Sequence, residues 1–251
     1  MTSDGIPDEI TENAMLGGRI RLLQPAAGYR AGIDPVLLAA ATPLVDGGRV
    51  LDLGCGAGTA ALCLAHRLPT MRIDGLELQP AMVELARRNV ALNDLEERVV
   101  IRSGDLLRPP TEVAAGGFDL VLANPPFHSA DEVTAPVEPG RARGHVEGEA
   151  DLAAWIDRSL ALATPKGMLL LIHRPERLGE ILARLEGRAG GVVIFPLWPM
   201  AGRPARRVLI LARKGSRAPL TLAGGLVLHE PDGRYSAAAE AVLRDGAALS
   251  L

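Results

Sequence analysis

The sequence predicts an α/β fold: a mostly parallel sheet covered by helices on both faces, with one antiparallel strand pair near the C-terminal end. Three observations carry this. Short runs that are apolar throughout alternate with amphipathic helical segments, the pattern of strands buried on both faces. A glycine-rich turn joins the first of these strands to the first helix. Two long apolar runs late in the chain are separated only by PMAGRPA, too short for a parallel crossover.

Residues 48–54 (GRVLDLG) read as the first strand of this series, ending in glycine. Residues 59–68 (TAALCLAHRL) place Leu62, Ala65 and Leu68 at helical spacing. MRIDGLEL, residues 71–78, is the second strand. The helix after it opens at Pro80 and stops at Asn93. RVVIRSGD (98–105) is the third strand, and FDLVLANPP (118–126) is the fourth. The next segment, HSADEVTAPVEPGRARGHVEGEA, is rich in Gly, Pro and charge and is assigned to a loop. A helix over 151–164 turns Trp155, Ile156 and Leu160 to one side, and GMLLLIH (167–173) is the fifth strand. A helix over 176–187 closes at Gly187. GVVIFPLW and RRVLILARK form the antiparallel pair, and a strand, a turn and a helix end the chain. The acidic start, residues 1–16, is expected to be a flexible tail. Residues 17–251 are expected to be one domain, with 17–45 as a short N-terminal extension.

Composition narrows the function. A net charge of -3 argues against a protein that coats nucleic acid by charge alone, while allowing a local basic patch. The first residues lack the charged-then-apolar pattern of a secretory signal. No apolar run reaches the length of about 18 residues that a membrane helix needs. A cytoplasmic protein is expected. Cys55 and Cys63 have no zinc-like spacing, so reduced thiols and no metal site are expected.

The residues that carry chemistry lie at strand ends. LDLGCGAG places Gly54, Gly56 and Gly58 after a strand and before a helix, where a missing β-carbon lets a ligand approach the backbone. Asp52 stands before this loop, Glu77 ends the second strand and Asp105 ends the third. A single acid at a strand end is as readily a solvated group. Three at successive strand ends beside a glycine loop point to a nucleoside pocket. Asn124-Pro125-Pro126-Phe127 ends the fourth strand. Two prolines terminate pairing and stiffen the chain, and the residue before a proline is held extended. Asn124 is thereby fixed at a strand tip, as suits either a turn or a reaction site.

This set resembles the class I S-adenosylmethionine-dependent methyltransferases, with their Rossmann-like sheet, over roughly residues 45–175. The resemblance implies S-adenosylmethionine as cofactor. Asp52, Gly54, Gly56 and Gly58 would meet its methionine part, Glu77 its ribose, and Asp105 with the backbone of Leu106 its adenine. It also implies that Asn-Pro-Pro-aromatic marks methylation of a planar –NH2 nitrogen. The Asn124 side-chain oxygen, which also faces the cofactor, and the Pro125 carbonyl would accept its two N–H bonds. Phe127 would stack on the flat substrate. His128 is expected to be a loop residue near the substrate.

The flanks extend the likeness. Gln24, Tyr29, Arg30, Asp34, Leu37 and Leu38 upstream, and Arg234-Tyr235-Ser236 downstream, resemble the bacterial family that N6-methylates the adenosine beside the anticodon of valine tRNA. Asp34 joins the cofactor set on that likeness. Phe127-His128 departs from the Tyr common in that family. It is shared with ribosomal RNA guanine-N2 methyltransferases, so those, and protein glutamine-N5 methyltransferases, stand as alternatives; a non-catalytic cofactor-binding module is a third reading. A tRNA substrate needs phosphate contacts. The acid-free stretch GRPARRVLILARKGSR supplies Arg203, Arg206 and Arg207, and Arg141 with Arg143 and His145 forms a smaller set.

Overall fold

The computed structural model describes residues 9–27, 30–43, 47–127 and 150–251. Its main sheet has nine strands, and the run from one edge is β5-β4-β3-β6-β7-β9-β8-β10. Here β3 is Arg49–Leu53, β4 Arg72–Glu77, β5 Val99–Ser103, β6 Phe118–Ala123, β7 Ala163–His173, β8 Ala189–Met200, β9 Arg207–Lys214 and β10 Thr221–Leu222. The ninth, β11 (Leu226–His229), also pairs with β8. Strands β3 to β7 pair in parallel. Only β9 runs against its neighbours β7 and β8.

Two apolar cores lie on opposite faces. One packs α1 (Asp34–Ala40), α2 (Thr59–Arg67), α3 (Pro80–Leu92) and α7 (Ala237–Asp245) on the sheet. The other buries α5 (Leu152–Leu162) and α6 (Leu178–Leu185); a one-turn helix α4 (Thr111–Ala114) adds Val113 to it. The expected α/β sheet, helices on both faces and antiparallel pair are all present. Boundaries moved most at β7, which begins at Ala163 where a helical turn was expected.

The N-terminal segment corrects the sequence reading. Ile10–Met15 is a strand, β1, paired antiparallel with β2 (Ile20–Pro25), although those residues were assigned to the tail. Periodicity did not reveal it because distant side chains hold the hairpin. Asn89 of α3 accepts from the Leu23 amide at 2.7 Å and donates to the Leu23 carbonyl at 2.9 Å. Asn93 does the same for Arg21, at 2.9 and 2.7 Å. Two amides one helical turn apart thus replace the ladder a neighbouring strand would supply. Asn89 also donates to the Ala57 carbonyl at 2.9 Å, tying the hairpin to the glycine loop.

A candidate active site at the strand-order switch

After β3 the chain adds β4 and β5 on one side, then crosses to add β6 and β7 on the other. Ligands in such sheets bind beyond the carboxyl ends of the strands at this switch. Register places the key residues there. Leu53 pairs with Ala123 and with Leu76, so Gly54, Asn124 and Glu77 each emerge one residue beyond a paired row. Ala123 pairs with Leu171, which brings His173 level with the prolines.

The glycine loop needs its glycines. Gly54, Gly56 and Gly58 have φ of +71°, +56° and +84°, the left-handed region that L side chains rarely adopt. A β-carbon on Gly54 would lie 2.9 Å from Cζ3 of Trp155, whose ring covers this glycine. One on Gly58 would meet Ala86 of α3 at an ordinary 3.5 Å, so at this position the left-handed φ rather than space calls for glycine. The Gly54 and Cys55 amides donate to the Leu76 carbonyl at 2.8 and 3.0 Å.

Two of the three acids serve the loop, and the third caps the turn after its own strand. Glu77 Oε2 accepts from the Gly56 amide at 2.9 Å, and Oε1 accepts from the Gln79 amide at 2.8 Å. Burial pushes the Glu77 carboxyl above the usual range, and these amide bonds pull it back. With the Leu78 amide as a third donor, the carboxylate still keeps acceptor capacity for a hydroxyl. Asp52 is only 3% exposed, and its Oδ2 accepts from the Ala61 amide at 3.1 Å. Because Asp52 belongs to β3 and Ala61 to α2, this bond clamps the two ends of the loop together. Burial, with the Glu77 charge adding a smaller push, raises Asp52 to about 7 against the opposing Ala61 bond. Asp105 Oδ1 accepts from the Leu107 amide at 2.8 Å, and Leu106 is buried beside it.

On the other side of the switch, Asn124 Oδ1 is buried and has no hydrogen-bond partner among the described residues. A buried carbonyl oxygen without a donor costs about 1–3 kcal/mol. Such atoms gather where a ligand supplies the missing donor.

Phe127 has close neighbours within the fold. The Arg207 guanidinium lies 4.1 Å from its ring centroid. His173 meets it edge-on, with centroids 5.4 Å apart. One face is therefore taken, and the ring is 9% exposed. It supports the loop at least as much as it can meet a substrate. Arg207, expected on RNA, also pairs with Asp34, Nε to Oδ2 at 2.9 Å. Asp34, expected on the cofactor, is thus held on the Phe127 side of the site. The local reason is that β9 begins at Arg207, beside β7, and carries its guanidinium over the proline loop.

His173 is the site residue that sequence reasoning missed. It is fully buried at the end of β7, and its Nε2 lies 3.3 Å from the Pro126 carbonyl. Burial and the nearby Arg177 and Arg207 charges lower it to about 4, against the pull of the Pro126 carbonyl, so it is neutral at pH 7. A neutral ring whose Nε2–H donates to that carbonyl fixes the turn after Asn124. The available signal was a histidine closing an otherwise apolar strand. Arg203 and Arg206 are exposed in the β8–β9 connection. Arg141, Arg143, His145, His128 and Tyr29 lie outside the described residues.

A glycine loop, an acid bonded to it and an Asn-Pro-Pro turn, set side by side at the switch of this sheet, define a methyltransferase with a Rossmann-like fold. Comparison with known proteins agrees. Residues 33–139 match the family model described as "Methyltransferase small domain". Relatives named tRNA1(Val) (adenine(37)-N6)-methyltransferase, from Yersinia pestis (strain Pestoides F) and Yersinia pseudotuberculosis (serotype O:1b, strain IP 31758), are each 33% identical over 210 residues, covering 82% of this chain and 82% of theirs. A crystal structure described as a predicted O-methyltransferase, protein Atu636 from Agrobacterium tumefaciens, superposes with a TM-score of 0.70 at 30% identity, covering 87% of this chain and 99% of that one. The chain belongs to the family of these methyltransferases. No described helix is long and apolar enough to cross a membrane. No cluster of metal-ligating side chains occurs among the described residues.

Proposed function

We propose that the protein transfers a methyl group from S-adenosylmethionine to the exocyclic N6 amine of an adenosine in tRNA. The observation that carries this reading is the buried Asn124 Oδ1, without a hydrogen-bond partner among the described residues, at the strand end next to the glycine loop. The names of the relatives support the choice of tRNA and of adenine.

The residues suit the cofactor. The left-handed glycines open the backbone of the loop, Glu77 offers lone pairs to ribose hydroxyls, and Asp105 with the Leu106 backbone suits adenine. When bound, S-adenosylmethionine supplies an activated methyl group on a sulfonium. The amine lone pair of adenine is delocalised into the ring and is a poor nucleophile. Asn124 Oδ1 and the Pro125 carbonyl accept its two N–H bonds and draw the nitrogen toward tetrahedral geometry. The lone pair is then localised and aimed. The work is positioning and electrostatics, most valuable as charge develops on nitrogen. No strong base is required, because the proton leaves only after transfer. His173, through Pro126, and Arg207, through Phe127, hold the turn and act as positioning residues.

Mass spectrometry of nucleosides from tRNA treated with the protein and S-adenosylmethionine tests the reading. N6-methyladenosine is expected. N2-methylguanosine, or methylglutamine in a protein substrate, would replace the target with one of the alternatives. No modified residue of any kind would refute the reading.

A further inference from the structure

A cleft of about 610 Å³ lies at the end of β7 and along the β8–β9 connection, and shares Arg207 with the proline turn. Arg207 belongs to both places: it lines this cleft and covers Phe127. The cleft's cations divide by what they already do. Arg207 is paired with Asp34, and Arg174 with Glu176 at 3.5 Å. Glu176, the one acid in the lining, is thereby engaged. Arg203 and Arg206 project from the connection, and neither guanidinium is bonded to another described residue. Pro199, Met200 and Pro204 add apolar surface to the same lining.

Two guanidiniums with no partner among the described residues, in one cleft with apolar side chains, fit a ligand with an anionic end and a flat apolar end. The volume is within the range of about 300–1,000 Å³ typical of sites for small ligands. Guanidinium forks match phosphate oxygens in two-point geometry. Methionine and proline offer a polarizable face to a base. We propose that this cleft holds the nucleotide next to the target adenosine. Its phosphodiester rests on Arg203 and Arg206, and its base lies against Met200, Pro199 and Pro204. The inference rests on the RNA reading above and deepens it. The cleft would sense the residue flanking the methylated base, and Arg207 would link its occupancy to the Phe127 turn.

The test uses an anticodon stem-loop RNA and the full chain. The double variant Arg203→Ala/Arg206→Ala should lower kcat/KM about tenfold or more. Its log–log salt dependence should be shallower by roughly 0.7, the value for one phosphate neutralised on a single strand. Calorimetric affinity for S-adenosylmethionine should not change, which also shows that the variant is folded. Stem-loops carrying one neutral methylphosphonate linkage, moved along the loop, locate the contact. At one linkage beside the target adenosine the unaltered protein should show the same loss, and the double variant should lose nothing further. Additive losses at every linkage, or an unchanged salt slope, would overturn the inference while leaving the RNA reading intact. Absence of methyl transfer by the unaltered protein would refute the RNA reading, and the cleft assignment with it.

Discussion

Asn124→Ala should leave the protein at least as stable and nearly inactive, and the two effects together are diagnostic. The substitution removes Oδ1, which is buried without a donor among the described residues. An unsatisfied buried acceptor costs about 1–3 kcal/mol, so its removal relieves that penalty. Against this stands the loss of a few contacts from a partly buried side chain. The net effect expected is zero to about +2 kcal/mol. In a chain of this size 1 kcal/mol moves Tm by about 2–4 °C, so Tm should hold or rise by a few degrees. Activity should fall by about 10²–10³, the scale for deleting one group that hydrogen-bonds in the transition state. Affinity for S-adenosylmethionine should be nearly unchanged. Differential scanning calorimetry, single-turnover methyl transfer and titration calorimetry measure the three quantities. Asn124→Asp keeps an acceptor, and partial activity across a broad pH range is expected of it. A drop in Tm of more than about 5 °C in Asn124→Ala would mean that Oδ1 already has an intramolecular donor. Full activity would reduce Asn124-Pro125-Pro126-Phe127 to a stiff turn.

Other expectations follow from the same geometry. Gly54→Ala places a β-carbon at φ +71° against the Trp155 ring, so strain and overpacking together should cost about 2–5 kcal/mol. Trimming that ring with Trp155→Leu in the same chain should recover part of the Tm, and no recovery would dismiss the contact as the cause. Burial raises Asp52 from the ordinary 3.8 to about 7, so its contribution to stability is complete below about 4 and is lost as pH rises through about 7. Asp52→Asn removes this titration and should compare more favourably with the unaltered protein at pH 8 than at pH 5 in urea unfolding; an equal difference at both would argue against it. His173 runs the other way: with its pKa lowered from 6.5 to about 4, its contribution is present above about 6.5 and is lost as pH falls through about 4. His173→Phe should lower kcat about tenfold, and His173→Gln, which keeps a donor for the Pro126 carbonyl, should recover much of it. Equal losses in the two variants would show packing rather than positioning.

The period of hydrophobicity, the glycine spacing and the paired prolines were enough to draw the sheet and to set Gly54, Glu77 and Asn124 at strand ends; methyl transfer came from the family resemblance that those residues carry. Those features are local. A strand apolar on every residue must be covered on both faces, glycines at left-handed positions must turn, and two prolines must end a ladder, whatever lies elsewhere in the chain. What only the tertiary structure decided depends on partners far apart in sequence. Asn89 and Asn93 hold a hairpin more than 60 residues upstream, by contacts of sequence separation 66 and 72, and so turn part of the expected tail into a strand. Asp52 spends its carboxylate on Ala61, so it clamps the loop. Arg207 crosses 173 positions to pair with Asp34 and lies on Phe127, a set of contacts that the residues read one at a time did not show. His173 ended a strand like any other until β6 and β7 came together and brought its ring to the Pro126 carbonyl. A charged or aromatic side chain has several satisfactory partners, and its sequence neighbours do not choose among them. Burial does, because inside the fold only the pairing that meets each polar group avoids the cost of leaving one unmet.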